Sequence, residues 1–209
     1  MNLDTVTLWE TAQDVPTFER LCYESYKQHG NSKYGNYKIV GNIDIPDFDW
    51  DSLVDHQRSV ARIKDENDLK AEVARKYQSV GYTTDNSDLH CISDSNFPNI
   101  FEDFARSQGI TKYFYRIQVQ HPGQMVPDHI DSLRSWSLRD PETAKQKTHN
   151  ELKRYLVQCS EPETGHFFTI GNQPVVWNKG DIIKFDNRIP HATANAGFNN
   201  KVLALIEGF

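Results

Sequence analysis

The spacing of hydrophobic positions changes near Gly109. Before it, apolar residues recur at helical intervals. "VPTFERLCYESYKQHG" carries Phe18, Leu21, Cys22 and Tyr26 at that spacing and predicts a helix that stops at Gly30. "DSLVDHQRSVARIKDENDLKAEVARKYQSVG" predicts one or two charged helices ending at Gly81. "FPNIFEDFARSQG" predicts a short helix with Phe101 and Phe104 as its apolar contacts and Gly109 as its stop. "KYGNYKIVGNIDIPDFDWDS" is rich in turn residues. Residues 1–110 therefore read as a helical or irregular N-terminal part.

Beyond Gly109 the period becomes two. In "KYFYRIQVQ", Tyr113, Tyr115, Ile117 and Val119 face one way, while Phe114, Arg116, Gln118 and Gln120 face the other. "RYLVQC", "GHFFTIG", "PVVW", "DIIKF", "HATAN" and "KVLALIEGF" are further short strands, separated by turn signals such as "NKGD" and "NAGFNN". Many short strands with few intervening helices predict a sandwich or barrel, mainly β with N-terminal helices. The charged segment 132–153, containing Trp136 and Pro141, interrupts this rhythm as a helical lid or a surface insertion.

Length and composition fit this picture. A chain of 209 residues suits a single domain, with 111–209 as its β core. The net charge is −6, with Lys and Arg scattered, which gives no support for a nucleic-acid partner. No apolar run approaches the roughly 20 residues of a membrane helix. The acidic start "MNLDTVTLWE" lacks the order of a signal peptide, and the three cysteines form no CxxC pair. Both features set the expectation of a cytoplasmic, reducing location.

"PDHID", residues 127–131, contains His129 and Asp131 two apart. Eight histidines and 29 acidic residues make roughly one such H-x-D/E triplet expected by chance, and His149 with Glu151 is a second. Context separates them. On an extended chain, residues two apart project to the same side, so an imidazole and a carboxylate can share one ion. "RIPHATANAG" offers His191 at the head of a strand. Two histidines and one carboxylate form a facial set that leaves open positions, an arrangement associated with non-heme Fe(II) oxygenases. His121 sits in a turn before Pro122 and Gly123, and His166 reads as a strand residue. His29, His56, His90 and His149 lie outside the strand-rich part or in the insertion.

From Tyr113 to Phe209 the sequence resembles the 2-oxoglutarate/iron(II)-dependent dioxygenases. "YRIQVQHPGQMVPDHID" has the strand, the glycine turn and the HxD, and Gly123-Gln124 resembles the "GQ" of prolyl 4-hydroxylase-like members. "VVWNKGDIIKFDNRIPHATANAGFNNKVLALI" resembles the family's hydrophobic strand, Gly-Asp turn, distal His and basic residue. Its layout of His, Asn, Gly and a basic residue is similar to that of aspartyl/asparaginyl β-hydroxylases.

The resemblance implies a double-stranded β-helix (a cupin-like jelly roll) holding Fe(II) through His129, Asp131 and His191, with 2-oxoglutarate and O2 as co-substrates. It implies Lys201, about ten residues past His191, as the partner of the far carboxylate of 2-oxoglutarate, where a desolvated anion needs a charge-assisted contact. Arg154 resembles a basic residue that some members place on an earlier strand, and either assists Lys201, contacts substrate or is an exposed strand residue. Arg116 and Gln118 share the face of their strand that would line the lumen, or face water; Gln118 is the candidate co-substrate contact. Asn195 resembles a residue of several branches and either meets substrate, orients a group behind the site or holds a strand-end turn. Arg134, Trp136 and Arg139 make 132–153 a candidate lid, with Trp136 a candidate substrate contact. Trp177 and Phe185 read as core, and Asp181 as the holder of the "NKGD" turn.

The sequence also departs from the family. The "KW" ending of the prolyl 4-hydroxylase pattern is absent, because Val202 follows Lys201. Prolyl hydroxylation is therefore not implied. Asp131 is intact where halogenating members have a small residue, which favours hydroxylation or another oxidation. The substrate expected is a small molecule or a peptidyl side chain, an amino acid or its residue above all. The rival readings are a zinc hydrolase with the same ligand set, against which no HExxH stands in the sequence, and a cupin-like binding protein without catalytic metal.

Overall fold

The computed structural model describes residues 4–29, 36–64, 69–131 and 134–209. Helix α1 (Leu8–Gln13) opens with a reciprocal cap. The Glu10 N–H donates to the Thr7 hydroxyl, and the Thr7 N–H donates to the Glu10 carboxylate. Helix α2 (Val15–His29) buries Phe18 and Cys22; its expected stop, Gly30, lies outside the described residues.

The next stretch differs from a helical or irregular expectation. The turn-rich segment contains β1 (Tyr37–Asn42). After α3 (Trp50–Leu53), the charged segment contributes β2 (His56–Ser59) before α4 (Leu69–Ser79), and β3 (Asp88–Ser93) follows. These strands escape a periodicity reading for physical reasons. β2 is four polar residues on a sheet edge, where one side needs no apolar partner. The short helix α5 (Glu102–Ser107) then leads into the strand-rich part.

That part comprises β4 (Tyr113–Gln120), β5 (Met125–His129), α6 (Arg134–Arg139), α7 (Pro141–Gln146), β6 (Lys153–Gln158), β7 (His166–Ile170), β8 (Gln173–Pro174), β9 (Asp181–Phe185), β10 (His191–Asn195) and β11 (Lys201–Gly208). Glycine makes two of the turns possible. Gly123, between β4 and β5, has φ +85°, and Gly180, before β9, has φ +86°. A Cβ on Gly180 would also lie 2.2 Å from the Ile43 carbonyl oxygen. Asp181 holds the same turn by accepting from the Asn178 N–H at 2.8 Å. "PVVW" is not the strand expected: β8 ends at Pro174, and Trp177 packs into the core instead.

The strands form two antiparallel sheets, β1-β9-β6-β11-β4-β3-β2 and β5-β10-β7-β8. From β4 onward the chain passes back and forth between them, so that β9-β6-β11-β4 faces β5-β10-β7-β8. That order is the double-stranded β-helix. The N-terminal part extends the larger sheet at both edges, with β1 at one and β3 and β2 at the other.

Strand alternation divides the core. Val202, Ala204 and Ile206 of β11 join Tyr115, Ile117 and Val119 of β4 against Phe97, Phe101 and Ala105. Leu203 and Leu205 face the other way, between the sheets, with Phe168, Ile170 and Trp177. Alternate positions on β4 therefore point its polar residues inward. Gln120 is buried and donates to the carbonyls of Gln124 and Thr193.

The described part of the insertion is packed, not loose. Trp136 has no exposed surface; its ring centroid lies 4.2 Å from that of Phe114 and 4.7 Å from that of Phe209. Leu8, Ala144 and Leu152 complete this cluster, which ties α6 and α7 to α1. No described helix is long and apolar enough to cross a membrane.

Candidate metal centre and its cavity

β5 and β10 pair antiparallel with His129 opposite His191, and the register shifts immediately beyond His191. β5 is an edge strand, so it tolerates Pro127 without losing a ladder bond. The two rings lie with centroids 4.4 Å apart. Asp131 follows just past the end of β5. Its carboxylate is 3.0 Å from His191 Nε2 and 3.9 Å from His129 Nε2. One ligand atom from each of the three residues lies within 4.8 Å of the others, and they form the only such cluster among the described residues.

Backbone contacts fix the imidazoles. Nδ1 of His129 donates to the Pro127 carbonyl at 2.8 Å, and Nδ1 of His191 to the Ile189 carbonyl at 3.0 Å. Each contact reaches back two residues and leaves Nε2 with its lone pair directed at the shared point. Burial, with His191 beside it, pushes His129 down to about 4, so its ring is neutral and able to ligate. Burial works against the Asp131 charge, but the Arg154 guanidinium beside it more than offsets this and holds the carboxyl well below its usual range.

Three donors of this kind fit a divalent transition metal. Two imidazole nitrogens and one carboxylate match the facial triad. Asp131 Oδ2, although buried, has no aligned hydrogen-bond donor among the described residues.

Arg154 occupies a different place from the one expected. Its guanidinium approaches Asp131 Oδ2 at 2.5 Å, off the line of a hydrogen bond, and its Nε lies 3.5 Å from Glu207. Arg154 and Glu207 stand opposite each other on β6 and β11. Burial raises the carboxyl of Glu207, while Arg154 acts in the opposite sense. Arg154 thus holds the candidate ligand Asp131 and is not positioned as a co-substrate anchor.

Lys201 is buried between the sheets. Its ammonium donates to the Thr193 hydroxyl and the Phe167 carbonyl and lies 5.5 Å from the centre of the Phe168 ring. Burial pushes it down to about 7. It does not line the cavity described below, so an anchor role would require a ligand to reach past Thr193.

Beside His129 and Asp131 opens a cavity of about 200 Å³. Its wall includes Arg116 and Gln118 of β4, Leu205 and Glu207 of β11, Val126 of β5, and Arg58 of β2. Arg116 and Gln118 therefore face the lumen and not water. Arg134 and Ser135, the first residues of α6, close another side.

Two other expected contacts lie elsewhere. Trp136 is core, because its ring fills the space between Phe114, Phe209 and α1. Asn195 is committed to a turn: its Nδ2 donates to the carbonyls of Gln120 and Asn199, and its Oδ1 accepts from the Gly197 N–H. Trp177 and Phe185 are buried. Arg58 and Glu207 were not singled out by sequence reasoning. Glu207 left a signal, a charge inside the apolar run "KVLALIEGF"; Arg58 left none, since "DHQRS" reads as a polar helix face.

No protein-family model matches the sequence, and no curated relative does. Several solved structures are similar. An oxidoreductase of the 2OG-Fe(II) oxygenase family from Burkholderia pseudomallei is 13% identical, with TM-score 0.42, over 61% of this chain and 70% of that one. A viral collagen prolyl hydroxylase from Paramecium Bursaria Chlorella virus-1 is 15% identical, with TM-score 0.39, over 74% and 95%. A conserved protein with a double-stranded β-helix domain from Klebsiella pneumoniae is 16% identical, with TM-score 0.31, over 46% of this chain and 66% of that one. The fold assignment for this chain rests on its own strand order.

Proposed function

We propose that this chain is a non-heme iron(II) oxygenase that uses 2-oxoglutarate as co-substrate and hydroxylates an amino acid or a peptidyl side chain. The observation that carries this reading is the convergence of His129, Asp131 and His191 at facing strand ends, with each Nδ1 held by a backbone carbonyl. The sequence resemblance over Tyr113 to Phe209 supplies the co-substrate and the reaction class. In that reaction, substrate, dioxygen and 2-oxoglutarate give hydroxylated substrate, succinate and carbon dioxide. Bound iron(II) would supply the activation of dioxygen.

The chain's own residues prepare the site. His129 and His191 present their Nε2 nitrogens, and Asp131 offsets one unit of metal charge. Arg154, held by Glu207, keeps Asp131 oriented and ionised; groups that orient a ligand in this way are part of a metal site's design. Gln118, on the cavity wall, offers an amide to a ligand oxygen. Leu205 and Val126 keep part of the wall apolar, which limits water beside the metal.

The test is an anaerobic titration of 2-oxoglutarate into the Fe(II)-loaded chain, read by the weak visible charge-transfer band of the chelate. The expected result is a saturable band that is absent in Asp131→Ala. Bound iron without a band would remove 2-oxoglutarate from the reading. Zinc retained in place of iron would favour a hydrolase.

A further inference from the structure

The cavity beside the metal ligands is lined by more guanidiniums than carboxylates. Four guanidiniums reach its wall, from Arg58, Arg62, Arg116 and Arg134. Arg62 has a partner in Asp88 at 3.5 Å. Of the wall's three carboxylates, Glu19 already has a partner, as Arg134 does, Asp131 belongs to the metal cluster and Glu207 already faces Arg154.

Arg116 is the informative residue. It stands on a central strand, between β11 and β3, opposite Leu205 on one side and Ser93 on the other. Neither neighbour accepts a charge. Its Nε is buried without a hydrogen-bond partner, and the guanidinium forms no hydrogen bond or ion pair among the described residues. Arg58, from the edge strand, lines the same cavity and is likewise without a partner among the described residues. The two cations also repel each other: burial, with Arg58 beside it, pushes Arg116 down to about 10, although Glu207 and Asp131 act in the opposite sense. Holding a guanidinium in such a place is costly unless an anion completes it.

We propose that the cavity recognises a carboxylate of its ligand through Arg116, assisted by Arg58, and that the molecules it takes are small acids. The size agrees. About 200 Å³ is below the roughly 300–1,000 Å³ of pockets for drug-sized ligands, and suits a small metabolite or a single side chain. The chemistry agrees as well, because a planar guanidinium fork matches a carboxylate in two hydrogen bonds, where a buried lysine gives one point contact. Lys201 is already capped by Thr193 and Phe167, whereas Arg116 is not capped. The carboxylate belongs either to the co-substrate or to the substrate. The inference deepens the proposed function by naming the ligand class, and rests on it only in placing the reacting molecule beside the metal.

The test is calorimetric titration of succinate, 2-oxoglutarate, L-aspartate and inorganic phosphate into the full chain, metal-free and loaded with Mn(II). At least one of the three carboxylic acids is expected to bind. Its affinity should fall tenfold or more in Arg116→Gln, recover in part in Arg116→Lys, fall several-fold in Arg58→Gln, and hold within twofold in Lys201→Met. Loss of 2-oxoglutarate affinity in Arg116→Gln assigns the carboxylate to the co-substrate. Loss confined to the other acids assigns it to the substrate.

Unchanged affinity of every acid in a folded Arg116→Gln overturns the proposal, as does dependence on Lys201 alone or absence of binding by all four anions. If Arg116→Gln does not fold, Arg58→Gln decides, since Arg58 is exposed on an edge strand; a change below twofold there overturns the proposal. If 2-oxoglutarate binds no more tightly with Mn(II) than without it, the oxygenase reading fails while the anion site stands.

Discussion

His191 stands directly opposite His129 in the pairing of β10 with β5. A single strand register therefore sets the distance between two candidate ligands that lie far apart in the chain. Asp131 joins them because it continues the chain just past the end of β5. The site is built where one sheet edge meets a register shift, and its two imidazoles are oriented by carbonyls of their own strands. Such a site is largely formed before a metal arrives.

A preformed site makes metal a stabilising ligand. Divalent metal at about 1,000 times its dissociation constant adds about 4 kcal/mol to the stability of a chain that binds it only when folded. Differential scanning calorimetry with and without Mn(II) should show a concentration-dependent rise in Tm. His191→Ala should show no rise.

Arg154 links the metal site to the larger sheet. It is buried, as is Glu207, and it approaches Asp131 at 2.5 Å. Arg154→Gln leaves two carboxylates without their cation, and breaking a buried pair from one side costs about 3–5 kcal/mol. Denaturant unfolding of the metal-free chain should show a loss of that order. Adding Glu207→Gln should cost less than the sum of the two single losses, because the second substitution removes one of the stranded charges.

Lys201 sets a pH dependence. Burial lowers it to about 7, well below the roughly 10.4 of an unfolded lysine. Between these values the unfolded chain holds the proton and the folded chain releases it, so stability from this residue rises with pH across that window and is lost as pH falls through 7. Lys201→Met should flatten the difference in stability between pH 7 and pH 10, as measured by urea unfolding at each pH. A dependence equal to that of the wild type would remove Lys201 as its source.

Trp136 carries the packing of the insertion. Trp136→Ala should destabilise the chain by about 3–5 kcal/mol, as large aromatic truncations in a core do. Metal binding should persist in the folded fraction, since the ring touches neither ligand nor cavity. Loss of metal from a folded Trp136→Ala would return this residue to the site.

Much of the β core was legible because its strands alternate. Tyr115, Ile117 and Val119 mark one face of β4, and the same period placed Arg116 and Gln118 together on the other. The clustering of His129, Asp131 and His191 was legible because the first two are two apart on an extended chain and the third heads a later strand. The N-terminal strands were not legible. β1, β2 and β3 are short, and β2 is wholly polar, so neither helical nor strand periodicity identifies them; pairing with the larger sheet decides their conformation. The roles of the cations were not legible either. Lys201, Arg154 and Arg116 are all basic residues on strands, and only their partners separate them: Thr193 for the first, Asp131 and Glu207 for the second, and no hydrogen-bond partner among the described residues for the third.

Anaerobic equilibrium binding of Fe(II) to the purified chain is the most direct measurement of the central claim. One Fe(II) per chain is predicted, with binding abolished in His191→Ala and in Asp131→Ala while both variants remain folded by circular dichroism. Iron binding that survives both substitutions, or no iron binding by the wild-type chain, would contradict the assignment of His129, Asp131 and His191 as its metal centre.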